Sequence, residues 1–263
     1  MPNILVSIAA DLPSSIALRY ACRLADLIHS RVQVLHIKEP DEAGPAVGSG
    51  WARLTWQKEL LEQARQEITQ LLRDDLAHCA TKDAPIVAVG DRESHVLAEL
   101  GRAPYDLLVE GLPAPPSQSL LHRVLHSESL QKIHCPVLLA LTMAPLERVL
   151  ICLDHGEPSQ VECFERLMQG TNLGVDLVAI RFPEAAETTG DELLRQRLDQ
   201  ARESLRGAGF DAGQSTVVDG RPDSMASLAN DYGLLVVPKV HDSQREHPWV
   251  ALLGNTSTSM LLC

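Results

Sequence analysis

The sequence predicts an α/β protein of two tandem doubly wound domains. Each is built on a mainly parallel five-stranded sheet, and the second sheet is expected to lack its last strand. Three observations point there. Apolar runs of strand length alternate with stretches whose apolar residues recur at helical spacing, the signature of right-handed crossovers on a parallel sheet. The whole order of elements restarts about halfway along the chain, a period of roughly 120–140 residues that is too long for a solenoid and fits a duplicated domain. Third, hydrophobic residues make up 45% of the 263 positions while aromatics make up 3%, so the core is aliphatic.

In the first half, Asn3–Ile8 is a continuous apolar run, read as a buried parallel strand. A helix is expected from Pro13 to His29, with Pro13 suited to the first turn and Asp11 or Ser14 to the cap. Arg31–Ile37 is the second strand, Trp51–Ala80 a long amphipathic helix and Ala84–Val89 the third strand. Ser94–Gly101 is a short helix, and Asp106–Glu110 a fourth strand closed by Gly111. Leu120–Ile133 carries apolar residues at 120, 121, 124, 125, 130 and 133, a helical period. Pro136–Ala140 is the last strand, with proline where a missing N–H is tolerated.

After the linker Leu141–Glu147 the pattern repeats. RVLICL at 148–153 echoes NILVSI at 3–8, GVDLVAI at 174–180 echoes RVQVLHI at 31–37, and GLLVVP at 233–238 echoes YDLLVEG at 105–111. Helices are expected over Glu157–Met168, Asp191–Gly207 and Asp223–Tyr232, and a strand over Gln214–Val218. The boundary falls near Pro145, giving domains 1–144 and 145–263. The second copy is expected to stop inside its last helix, without a fifth strand. The apolar edge at Pro136–Ala140 would then need a partner, which implies a homodimer or an intramolecular pseudo-dimer.

Composition narrows function. A net charge of −12 argues against nucleic acid and anionic membranes as general partners. No apolar run approaches the ~20 residues of a spanning helix, and MPNILVSIAADLP enters a strand directly with no basic leader. The six cysteines, at 22, 79, 135, 152, 163 and 263, form no CxxC and lie mostly in apolar runs, so reduced, buried thiols of a cytoplasmic protein are expected.

Several local pieces together resemble the universal stress protein family in its tandem form. These are ILVSIAADLPSSIALRYACRLA, VGDRESHVLAEL, YDLLVEG and VLHSESLQKIHCPVLLAL in the first half, with VLICLDHGEPS, VVDGRPDSMASLANDYGLLVVP and LLGNTSTSM in the second. The resemblance covers nearly the whole chain. It implies the adenine nucleotide alpha hydrolase-like fold and a stress-response binding or regulatory role. Where nucleotide binds, it would lie at the switch point between the first and fourth strands. ATP-binding members pair an Asp at the end of the first strand with a loop of Gly, two residues, Gly, nine residues, Gly and Ser or Thr. Such glycines let backbone N–H groups approach phosphates at a helix N-terminus.

Carried onto this chain, the first-half Asp position holds Ala9, with Asp11 two residues on. Gly111 matches the first glycine, Ala114 stands at the second and His126 at the third, while Ser127 and Ser129 keep hydroxyls. Prolines 113, 115 and 116 remove N–H donors, and the loop is about two residues longer than the family's. In the second half, Asp154 matches squarely. Pro238 and His241 replace the first two glycines. Gly254 matches the third, followed by Asn255, Thr256 and Ser257, in a loop about three residues long in excess. Lys239 or Arg245 could face an anion. The resemblance therefore implies a degenerate ATP or AMP site in the second half. The alternatives are a scaffold that acts through dimerisation without nucleotide, and a weak ATP hydrolase.

Other chemistry finds little footing. GxSxG, GxGxxG and HExxH are absent. His122 and His126, four apart, and His134 read as surface or loop-facing residues rather than metal ligands. His36 reads as a packed histidine. Cys135, beside His134 at the mouth of a buried strand, reads as structural rather than catalytic. No catalytic residue is expected, and the resemblance implies a binding or regulatory module rather than an enzyme with strong turnover, with a weak ATPase as the alternative.

Overall fold

The computed structural model describes residues 3–9, 11–39, 51–75, 79, 84–153, 159–182, 191–239 and 248–263. They form two compact units, 1–111 and 112–263.

In the first unit, β1 (Asn3–Ile8) leads to α1 (Leu12–Leu27), β2 (Arg31–Lys38), α2 (Trp51–Asp75), β3 (Ile86–Val89), α3 (Arg92–Arg102) and β4 (Leu107–Gly111). The strands lie side by side in the order β3-β2-β1-β4, all parallel. The chain therefore reverses its winding direction between β1 and β4. Ile4, Leu5, Val6, Leu107, Leu108 and Val109 are buried, as continuous apolar strands covered on both faces should be. Asp11 caps α1 by accepting from the Ser14 N–H at 2.8 Å, and Asp91 caps α3 in the same way.

The second unit begins with α4 (Gln118–Leu125), α5 (Glu128–Lys132) and β5 (Val137–Ala140). It continues with β6 (Arg148–Leu153), α6 (Ser159–Met168), β7 (Gly174–Arg181), α7 (Asp191–Gly207) and β8 (Asp211–Asp219). It ends with α8 (Pro222–Ala229), β9 (Leu234–Val237), α9 (Pro248–Leu253) and β10 (Met260–Leu262). Its strands run β5-β10-β9-β6-β7-β8. Only β5 against β10 is antiparallel.

Three expectations are corrected here. The second copy does have its fifth strand. Met260–Leu262 pairs parallel with Leu235–Val237 and antiparallel with Val137–Leu139. Three residues that begin directly after the polar run NTSTS were too short to register as a strand. The edge at Pro136–Ala140 is consequently covered by β10, and the argument for a dimer built on its exposure falls away. The helix expected over Leu120–Ile133 is two helices, because the Ser127 hydroxyl accepts from the Leu130 N–H at 3.2 Å and starts a new one. The compact units divide at 111/112, because β5 pairs with β10 and α4 packs on α9, whereas the repeat boundary read from sequence lies near Pro145. The sequence repeat and the compact unit are different objects.

The cysteine expectation is also overturned. Cys22 is joined to Cys79 and Cys163 to Cys263, with Cα separations of 5.1 and 6.0 Å. Cys135 and Cys152 are thiols. Each disulfide spans residues distant in sequence that the crossover topology brings together, a pairing that spacing alone does not reveal.

At the amino-terminal end of the second sheet, the carboxylate of Asp176 ties β7 to its neighbours. It accepts from the Gln214 N–H at 2.6 Å, from the Tyr232 hydroxyl at 2.9 Å and from Arg148. Burial pushes the Asp176 carboxyl up, but these three donors outweigh it and hold the group below the usual carboxylate range. A depressed folded-state value contributes stability that is present above the unfolded value, near pH 4, and is lost as pH falls through the folded one. Asp176→Asn is therefore expected to cost roughly 1–3 kcal/mol at pH 7. The gap between variant and wild type, measured by urea unfolding, should close as the pH is taken from 7 to 3.

Candidate functional site

In an open parallel sheet, ligands bind beyond the carboxyl ends of the strands where the winding reverses. The first unit's reversal lies between β1 and β4, and a side chain of the protein itself stands there. Arg92, the first residue of α3, reaches over the sheet. Its guanidinium donates to the Ser7 carbonyl of β1 at 3.2 Å and stands 3.5 Å from the Glu110 carboxylate of β4. Beside it, the ring Nδ1 of His36 lies 3.2 Å from the Ile8 carbonyl and its Nε2 3.7 Å from Glu67, which also pairs with Lys38 at 2.8 Å. Burial, ahead of the other influences, lowers the His36 pKa, so the ring is a packed neutral group, as expected from sequence.

The first-half candidates serve the fold. Asp11 is the α1 cap, and the Ser14 hydroxyl it neighbours accepts from the Ala9 N–H at 2.8 Å. Gly111 sits where a Cβ would lie 2.1 Å from the Pro13 carbonyl oxygen, so this glycine exists to let β4 meet the start of α1 backbone to backbone. Ser127 caps α5 and donates to the Val124 carbonyl at 2.8 Å, and Ser129 hydrogen-bonds Ser127 at 3.1 Å. His122 and His126 stack with ring centroids 4.3 Å apart. Among the described residues there is no cluster of three or more His, Cys, Asp or Glu fit to hold a metal.

In the second unit, Asp154, His155, His241, Arg245 and His247 lie outside the described residues. Gly254 follows the end of α9 instead of opening a helix. A Cβ there would lie 2.7 Å from the Gln118 side chain and 3.1 Å from the Val250 carbonyl. Thr256 is buried, and its hydroxyl accepts from the Thr258 N–H at 3.1 Å. Asn255 is exposed and Ser257 half-buried. Gly254–Ser257 is thus a packed turn leading into β10.

The opening in this unit lies nearby. A cleft of about 520 Å³ runs along the carboxyl ends of β9 and β10, between the first half of α6 and the segment entering β5. Lys239, Cys135, Glu162, Arg166 and the Cys163–Cys263 disulfide line it. Lys239, just past β9, is half-buried. Its N–H donates to the Cys263 carbonyl at 2.6 Å and its ammonium to the Ile133 carbonyl. Burial lowers the Lys239 pKa, and the charge of nearby Cys135 works in the opposite direction. Lys239 was singled out in the sequence. The convergence of three cysteines on it was not, and no motif announces it. Nor did any motif flag Arg92 and Glu110; the one hint was an acid at the end of an otherwise apolar strand.

Comparison with solved structures supplies the fold's relatives. A universal stress protein from Archaeoglobus fulgidus superposes with a TM-score of 0.67 at 13% identity, over 99% of this chain and 97% of that one. The fold is that of the tandem universal stress proteins. A functionally unknown protein from Pseudomonas aeruginosa matches with a TM-score of 0.59 at 17% identity, over 100% of this chain and 92% of that one. A putative universal stress protein from another Pseudomonas aeruginosa strain gives 0.57 at 15% identity with the same coverage of 100% and 92%. No family model and no curated protein matches the sequence. The expected architecture of two doubly wound units therefore holds, at identities that speak for the fold alone.

If Gly111 and Gly254 serve packing rather than a ligand, alanine should damage stability at both, in proportion to what the Cβ meets. Gly111→Ala, against rigid backbone, is expected to cost about 3 kcal/mol, and Gly254→Ala, against a flexible glutamine, about 1 kcal/mol. Chemical denaturation of the two variants checks this. Equal and negligible costs would return both glycines to a ligand role.

Proposed function

We propose that this protein is a stress-response binding and regulatory module of the universal stress protein type, and that it takes a small anionic ligand in the cleft of its second unit. The observation that carries the reading is the half-buried Lys239 in a cleft at the carboxyl ends of β9 and β10. A cleft of about 520 Å³ is within the size range of small-molecule sites. A partly desolvated ammonium, with Arg166 on the facing helix, attracts phosphate or carboxylate more strongly than an exposed one would. An adenine nucleotide, ATP or AMP, is the ligand that the resemblance of the sequence implies, with Asp154 as the residue for its sugar or base. The protein acts in the cytoplasm by changing shape or assembly on binding, without turning the ligand over.

A second reading has its own support. Gly111, Gly254 and Thr256 are taken up by packing, and Arg92 with Glu110 occupies the first unit's reversal point. On that reading the protein is a scaffold that no longer uses nucleotide.

Titration calorimetry with ATP, ADP and AMP separates the two. The first reading expects saturable heat for at least one nucleotide, lost in both Asp154→Ala and Lys239→Met. Absence of heat and of any thermal shift at millimolar nucleotide would leave the scaffold reading.

A further inference from the structure

The cleft holds chemistry that nucleotide binding does not require. Three of the chain's six cysteines line it: Cys135 as a thiol, and Cys163 and Cys263 as a disulfide. None is fully buried, unlike Cys152, which is wholly inside the sheet. The strand register explains the convergence. Val137 of β5 stands opposite Leu262 of β10, and the strands are antiparallel. Continued by one residue, that register sets Pro136 against Cys263, with Cys135 next along. Lys239, whose N–H holds the Cys263 carbonyl, is close enough to Cys135 for their charges to interact. An ammonium beside a thiol favours the thiolate, the form that attacks disulfides.

We infer that this cleft is a thiol–disulfide exchange site in which Cys135 attacks the Cys163–Cys263 disulfide. The Cys135 thiol gives its proton to solvent, and the thiolate bonds to the Cys263 sulfur. The Cys163–Cys263 bond breaks, and Cys163 leaves as a thiolate that takes up a proton. One disulfide is exchanged for another, so the step needs no external oxidant or reductant.

The exchange has a structural consequence. With Cys163–Cys263 formed, α6 is tethered to the end of β10. With Cys135–Cys263 formed, β10 is tethered to the segment beside its own partner strand, and α6 is released. Because α6 supplies Ser159, Glu162 and Arg166 to the cleft wall, the thiol state sets how firmly that wall is held. This inference concerns the same cleft as the ligand reading but does not rest on its occupancy by any nucleotide.

The test is a disulfide map of the full chain, purified without reductant and free of nucleotide. The protein is held at pH 8 under native conditions, quenched in acid, alkylated and digested for mass spectrometry. The expected map contains the Cys163–Cys263 peptide together with a Cys135–Cys263 peptide that grows with time and is absent from Cys135→Ser. Alkylation of Cys135 at neutral pH should be slower in Lys239→Met than in wild type. A map that shows only Cys163–Cys263 at all times overturns the inference, as does one in which Cys163 and Cys263 are both thiols. Neither result bears on nucleotide heats measured separately.

Discussion

The second unit depends on a three-residue strand. Met260, Leu261 and Leu262 are fully buried between β9 on one side and β5 on the other. Without them, β9 and β5 would each present a row of backbone N–H and C=O groups inside an apolar layer, and buried backbone groups are seldom left without partners. The strand therefore closes the sheet. It also joins the last strands of the two sequence repeats, the intramolecular form of the pairing expected for the edge at Pro136–Ala140. Its antiparallel direction against β5 matters equally. It brings the carboxyl end of β10 beside the amino end of β5, so Cys263, Cys135 and Lys239 meet at one place. Ser259, just before the strand, accepts from the Leu141 N–H at 3.1 Å and fixes its entry.

The glycines expected at a nucleotide cradle show how packing can use the same residue type. Phosphate loops use glycine because backbone must come close to oxygen atoms. Glycine is equally suited to another use, the close approach of backbone to backbone. Gly111 against Pro13 is such an approach. Gly254 against Gln118 is a milder one. At the same place in the first unit a guanidinium lies over the ends of β1 and β4, balanced by Glu110. A cation held by a carboxylate of the same chain has part of its field already used, so an incoming phosphate would have to compete with Glu110.

Much of the architecture was legible in the sequence because its signals are local. Asn3–Ile8, Arg31–Ile37, Arg148–Leu153 and Gly174–Ile180 are continuous apolar runs, and parallel strands covered on both faces look like nothing else of that length. Caps such as Asp11 are local as well. The misses share a different cause. The break at Ser127 is a competition between one hydroxyl and a continuing helix, which apolar spacing does not record. Met260–Leu262 has strand character only because β5 and β9 are there to receive it. Both disulfides join elements distant in sequence, Cys22 of α1 to Cys79 beyond α2 and Cys163 of α6 to Cys263 just past β10. For the site, the sequence names candidate residues but not their neighbours. Gly254 and Thr256 are candidates for a ligand in the sequence, and the structure adds the packing contacts each makes.

The two kinds of miss come together at the cleft. Taken one at a time, Cys135, Cys163, Cys263 and Lys239 carry no motif, since they sit in four separate stretches of chain. A motif records chemistry only when its residues are close in sequence, and a doubly wound sheet assembles its carboxyl-end sites from the ends of several strands. Here the decisive step is that β10 runs antiparallel to β5. Were it parallel, its carboxyl end would lie beside the carboxyl end of β5, and Cys263 would sit at the far end of the strand from Cys135. The direction of one short strand thus decides whether these cysteines are three separate thiols or one reactive group. That direction follows from the joining of the two repeats through their last strands.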